Sequence, residues 1–242
     1  MRHLKKYGFF GIFLLIFLCT TADAKSKWWK KILGDSNKSH AQLNSNEIGT
    51  AFKQALSIGA QNVIAQIGTT DGFNKDKSIH IPLPKNLEKV RGILKKVGMS
   101  ATVDDLELKL NRAAETATPI AKDMFLKAIK DMTFEDVKKI YAGGNNSATN
   151  YFKNKMTASL SEKMHPIVAQ SLSQVGAVQS LNKVMNKYDK IPFVSSVKPD
   201  LTGYVVEKGM DGIFYYLAKQ EAEIRTNPMK QTTALLRKVF KK

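Results

Sequence analysis

From Ile48 onward the apolar residues of this chain return every three or four positions, and no other feature constrains the fold as strongly. Ile48, Phe52, Ala55, Leu56, Gly59, Val63 and Ile67 share one side of a helix that Asn44 and Glu47 open as a capping box and Gly68 closes. Leu87, Val90, Leu94 and Val97 form a second stripe over 84–97, opposite Lys85, Lys89, Arg91, Lys95 and Lys96. Thr102 with Asp105 predicts the start of a third helix, which carries Val103, Leu106, Leu110, Ala113 and Ala117 inward until Pro119 kinks or restarts it. Thr133 with Asp136 caps a short helix ending at Gly143–Gly144. Asn146 or Ser147 opens the next, expected to break near His165–Pro166, with amphipathic stretches following at 167–175 and 177–188. A long helix is expected from Asp200 to about Arg225. Asn227–Pro228 then starts a last one, lined by Met229, Leu236, Val239 and Phe240. Sustained period-two alternation is absent. The expected class is all-α, a single compact multi-helix bundle-like domain over 46–242.

The chain begins with a segment that must be set aside before fold reasoning. Arg2, Lys5 and Lys6 precede the apolar run "GFFGIFLLIFLC", and "ADA" at 22–24 has the small-x-small pattern of a signal-peptidase site. The run is shorter than the roughly 20 residues that span a bilayer. Residues 1–24 are therefore expected to be a cleaved signal peptide, and the protein to be exported, to the periplasm or out of the cell. Lipidation at Cys19 is the alternative, but Leu18 stands where such signals place a small residue. Cleavage after Ala24 removes Cys19, the chain's one cysteine, and with it disulfides, thiolate nucleophiles and Cys-based metal sites.

Charge is the loudest compositional feature. The chain carries +17, and removing Arg2, Lys5, Lys6 and Asp23 leaves +15. Residues 25–38 hold five lysines against Asp35, a net +4. Residues 227–242 hold Lys230, Arg237, Lys238, Lys241 and Lys242 with no acid, a net +5. The two ends thus carry +9 of the +15, a distribution that attracts anionic surfaces or serves solubility. At the first end, "KSKWWKKILG" combines lysines with adjacent tryptophans, the composition of an interfacial segment. Residues 25–45 read as a flexible basic segment. The expected anionic-surface contacts are Lys27, Trp28, Trp29, Lys30 and Lys31 at one end and Arg237, Lys238, Lys241 and Lys242 at the other.

Motifs for chemistry are sparse. His40, His80 and His165 share no ligand spacing, no Gly-x-Ser-x-Gly elbow occurs, and nothing calls for a cofactor or a metal. "AGGNNSATNYF" (142–152) feeds glycines into a helix N-terminus that could cradle an anion, yet lacks the Lys-Ser/Thr ending of a phosphate loop. "LNRAAE" sets Asn111 and Glu115 one turn apart, and "QEAEIR" sets Glu221 before Arg225. These four are expected to meet across the bundle as one structural polar cluster, or to supply a carboxylate for hydrolysis.

Taken in order, "DGF", "IPLP", "LNRAAE", "AIKDMTFEDV", "ATNYF", "EIRTNP" and "LLRKVF" give the chain a recognisable signature from about residue 46 to its end. In these blocks it resembles a family of exported bacterial proteins catalogued as domain of unknown function 4197. The resemblance implies an all-helical envelope or secreted protein and brings no catalytic or binding residues with it. The tail at 25–38 lies outside it.

Three functional expectations stand. The first is a non-enzymatic exported protein associating with an anionic membrane surface or another polyanion through its basic ends. The second is a module binding an apolar ligand in an interior pocket near Met210 and the aromatics of 204–216. The third is a hydrolase using Glu115 or Glu221. Nucleic acid is a lesser partner, since no aromatic-interleaved recognition motif occurs beyond the tail.

Overall fold

The computed structural model describes residues 45–194 and 199–226, and side chains from Gly49 onward. Within them lie eight α-helices and no strand: α1 (Ser45–Ile67), α2 (Lys85–Lys96), α3 (Ala101–Ala117), α4 (Ala121–Lys130), α5 (Phe134–Ala142), α6 (Ser147–Gln174), α7 (Ala177–Tyr188) and α8 (Leu201–Thr226). The helical spacing of the sequence thus becomes an all-α domain. The Asn44 cap, the basic segment before it and the expected last helix over 227–242 fall outside the described residues.

Three long helices organise the core. α8 packs on α1, α3 and α6, while α3 also packs on α6 and α7. The inward residues of α3 are those its spacing predicts: Val103, Leu106, Leu110, Ala113 and Ala117 are wholly buried. Phe125 of α4 meets Phe152 of α6 and Phe214 of α8 edge-to-face, at centroid distances of 5.8 and 5.9 Å.

Local signals decide where several helices start. Thr133 and Asp136 form the expected capping box: the Asp136 N–H donates to Thr133 Oγ1 at 3.1 Å and the Thr133 N–H donates to Asp136 Oδ2 at 2.9 Å. Pro119 restarts the chain through a 3₁₀ turn, Thr118–Ile120, before α4.

Two expectations are corrected. Thr102 does not cap α3. The helix begins at Ala101 with Ser100 already helical (φ −65°, ψ −31°), so no side chain reaches back to an amide, and Thr102 accepts a bond from Lys187 instead. Nor does Pro166 break its helix, because α6 runs unbroken to Gln174. Proline inside a helix costs about 3 kcal/mol. Leu160, Met164, Val168 and Leu172 are buried on either side of it, each stabilising by roughly 1.5–3 kcal/mol, so packing outweighs the break.

The long connection from Gly68 to Pro84 folds inward, with Phe73, Ile79, Ile81 and Leu83 buried. The Phe73 ring lies against α8 at Gly212, where a Cβ would come within 2.7 Å of Phe73 Cε1 and 3.3 Å of Ile79 Cβ. Gly209, one turn earlier, has open space. Gly212→Ala should therefore lower stability by about 1–3 kcal/mol, and Gly209→Ala should raise it by up to about 1 kcal/mol. Thermal melts of the two variants against the parent check both signs.

Candidate functional site

The polar residues that the sequence singles out sit in two places. At the far end of α8, Glu221 is buried against the start of α6. Its Oε1 accepts the Ala148 N–H at 2.9 Å, and its Oε2 accepts the Thr149 N–H and hydroxyl, each at 2.9 Å. The first amides of a helix have no intrahelical partner and carry partial positive charge, so a carboxylate is the natural ligand there. One turn on, Arg225 donates to Glu221 Oε1 through Nε (3.1 Å) and Nη2 (2.9 Å). Its Nη2 also donates to the Ile140 carbonyl at 2.8 Å and its Nη1 to that of Tyr141 at 3.4 Å, at the C-terminus of α5. The guanidinium stands 5.9 Å from the centroid of the Phe52 ring. One acid–base pair thus closes the end of α5 and the beginning of α6 across the Gly143–Gly144 turn. The amides that an anion would need at "AGGNNSATNYF" already hold the protein's own carboxylate.

Asn111 and Glu115 do different work on α3. Glu115 Oε1 accepts the N–H groups of Phe73 and Asn74, both at 3.0 Å, and Oε2 accepts from Arg112 Nη1 at 2.7 Å. Asn111 pairs with Ile81 as a strand would, accepting its N–H and donating to its carbonyl, each at 2.8 Å. Glu107, one turn earlier, meets His80 Nε2 at 2.8 Å and also contacts Arg91. Glu107, Asn111 and Glu115, four residues apart, make a polar ridge that holds the 68–84 connection. The expected single cluster is therefore two: the bonds of Asn111 and Glu115 share no partner with those of Glu221 and Arg225.

The pairing of His80 and Arg91 with Glu107, and of Arg112 with Asp71, was not visible in the sequence. Arg112 Nη2 donates to Asp71 Oδ1 at 2.7 Å, and Asp71 adopts a left-handed φ of 69° in front of Gly72. The Asp-Gly turn and the four-residue polar spacing on α3 were the available signals. Two tyrosines of α8 finish the clamp: Tyr216 donates to Asp76, and Tyr204 donates to the Pro82 carbonyl at 3.0 Å.

These bonds shift proton affinities. Lys75, Asn74 and Arg112 hold the Asp71 carboxyl well below its usual range. Burial alone would raise Asp76, but the Tyr216 hydroxyl and the amides of Ser78 and Ile79 outweigh it and lower it. Donation to Asp76, with burial, pushes the Tyr216 phenol up to about 12.

Lys27, Trp28, Trp29, Lys30, Lys31, Arg237, Lys238, Lys241 and Lys242 lie outside the described residues. Met210 and Phe214 are buried members of the core. A small pocket of about 30 Å³, lined by Ala60, Phe152 and Leu217 among others, does not reach Met210 or Phe214. A groove of about 450 Å³ opens between α4, α5 and α6, floored by Met124 and Met156 and rimmed by Lys127, Lys155 and Lys163. Among the described residues, no three His, Cys, Asp or Glu side chains gather as a metal site.

With this geometry in hand, one comparison is informative. Residues 42–241 match DUF4197, described as a protein of unknown function. The chain belongs to this family. No curated protein and no solved structure matches it.

Arg225→Ala leaves the buried Glu221 charge and two helix-end carbonyls without their partner, so it should destabilise by about 3–5 kcal/mol. An unchanged melting temperature would refute the role assigned to the pair. The alkaline limb of stability is a second check. The folded Tyr216 value lies above the ordinary 10.0, so the folded chain holds this proton more tightly. Its contribution is complete below pH 10 and is lost as pH rises toward 12. Tyr216→Phe should flatten that limb. For Asp71 and Asp76, both lowered, the contribution is complete above the ordinary carboxylate range and is lost as pH falls through the folded values. Asp76→Asn should blunt that acid limb in urea titrations run across pH.

Proposed function

We propose that this protein is an exported, non-enzymatic helical domain that associates with anionic membrane surfaces through its basic ends. The observation that supports the reading is the division of charge. The surplus sits at 25–38 and 227–242, with Trp28 and Trp29 in the first of these, while residues 39–226 carry only the remaining +6. The geometry of the folded body agrees with a non-catalytic role. Glu115 and Glu221, the two carboxylates that a hydrolase would need, are committed to backbone amides and arginines of the fold. Around Met210, the side chains of Val206, Ile213 and Phe214 are buried in the core, while Tyr204 and Tyr216 are only partly buried and Tyr215 is exposed.

Each lysine near an anionic leaflet contributes about 1 kcal/mol, and indole rings favour the headgroup region. One such segment binds weakly and reversibly. Two on one body act together, because the second contact becomes intramolecular once the first is made.

Flotation of the mature chain with neutral and anionic vesicles, at low and physiological salt, tests this. Binding should be confined to anionic vesicles, weaken as salt is raised, and weaken further in a variant beginning after Gly34. Absence of binding by the parent at low salt would overturn it.

A further inference from the structure

The turn between α2 and α3 presents apolar side chains to water. Val97 is 53% and Met99 42% exposed. Their position is fixed by a Schellman closure of α2: the Gly98 N–H donates to the Lys95 carbonyl at 3.1 Å and the Met99 N–H to that of Leu94 at 2.9 Å, with Gly98 left-handed at φ 73°. In such closures the residue at the position of Met99 commonly folds back on the helix. Here it stands out beside Lys95 and Lys96, both exposed.

A second element reaches the same edge. α7 runs antiparallel to α3: near its start Ser180 donates to Asp105 Oδ2 at 2.6 Å, and near its end Lys187 donates to Thr102 Oγ1 at 2.7 Å, in the first turn of α3. α7 also packs on α2. The last turn of α7 therefore lies at the end of the molecule that carries the α2–α3 turn. The chain leaving it exposes Lys190 and, three residues on, Phe193, whose ring is entirely in solvent at a backbone φ of 65°. Lys95, Lys96 and Lys190 pair with no described carboxylate. Of the acids near this end, Asp104 is drawn toward Arg91 at 3.6 Å, Asp105 is held by Lys109 and Ser180, and Asp189 follows the last turn of α7.

Large apolar side chains standing among unpaired lysines are the composition of a surface that enters the headgroup layer of a bilayer. We propose that this lip, Val97, Met99 and Phe193 with Lys95, Lys96 and Lys190, docks the folded domain on an anionic lipid surface and fixes its orientation there. Charge complementarity selects the anionic lipid, and the apolar side chains select a bilayer over a soluble polyanion. The inference rests on the membrane association proposed above and adds to it a contact made by the folded body.

The mature chain lacks cysteine, so a single one can be introduced as a reporter. A polarity-sensitive dye on Met99→Cys should shift to the blue when vesicles containing phosphatidylglycerol are added. The same dye on Gln170→Cys, exposed on α6, should not. Charge reversal at Lys95, Lys96 and Lys190 to Glu should weaken vesicle partitioning by about a hundredfold or more, the contribution of three surface lysines at about 1 kcal/mol each. Reversal of Lys153, Lys163 and Lys122, which are exposed elsewhere, should weaken it far less. Melting curves of all variants confirm that the fold is intact. Unchanged partitioning of the lip variants with a silent Met99 dye would overturn the lip while leaving binding through the chain ends in place. A parent that binds no anionic vesicle would overturn both. Inorganic polyphosphate shifting the Met99 dye as strongly as vesicles do would overturn the lipid assignment.

Discussion

The carboxylate of Glu221 is the interaction on which the closing half of this fold depends. A nine-residue helix, an exposed four-residue turn and a 28-residue helix follow one another, with Ile140 buried before the turn and Ala148 and Thr149 buried after it. Helix ends cannot be buried with their amides and carbonyls unmet. Glu221 meets the amides of α6, Arg225 meets the carbonyls of α5, and each neutralises the other. Taking two charges out of water is expensive unless their remaining bonding capacity is filled. Here backbone groups fill it, and the turn glycines do not have to. The pair thereby fixes α8 against α5 and α6 together, which is why α8 can serve as the central helix.

The opening half is solved by the same device in another form. Seventeen residues from Gly68 to Pro84 connect α1 to α2 with no helix of their own, yet they bury four large apolar side chains. Such a buried connection needs partners for its backbone. α3 supplies them at one-turn intervals, with Glu115 to the amides of Phe73 and Asn74 and Asn111 to both polar groups of Ile81. In both halves, side chains that resemble the tools of an enzyme act as substitutes for secondary structure.

This explains which parts of the fold were legible in the sequence. Apolar spacing is a local property, so the helices and the inward residues of α3 could be read directly. The Thr133–Asp136 box and the Pro119 restart are local as well. What misled was a local rule overridden from a distance. Pro166 weakens α6 by one hydrogen bond, but the buried residues on either side belong to contacts with α3 and α8 that no window of sequence displays. The single polar cluster failed for a related reason. Asn111, Glu115, Glu221 and Arg225 were recognisable as polar residues at the margins of apolar stripes. Whether two stripes share a margin depends on how the helices cross, and here one pair serves the opening connection and the other the α5–α6 turn. His80 and Glu107 stayed hidden because their partnership spans 27 residues and includes a loop carbonyl.

The distribution of charge follows from the same economy of backbone bonding. A helical domain with inward-folded connections needs acids near its amides, and this one places Glu115 and Glu221 there, while Asp71 and Asp105 pair with Arg112 and Lys109. These acids sit beside cations of the fold itself, so the basic excess is displayed by lysines outside those pairs. Even a modest excess of basic residues then leaves exposed cations such as Lys95, Lys96 and Lys190 without a described counter-charge. On that view the positive surface is partly a by-product of how the fold is held together. What a by-product does not account for is the company those lysines keep. Solubility would surround them with polar neighbours, whereas Val97, Met99 and Phe193 stand among them at the end of the domain where α2, α3 and α7 come together.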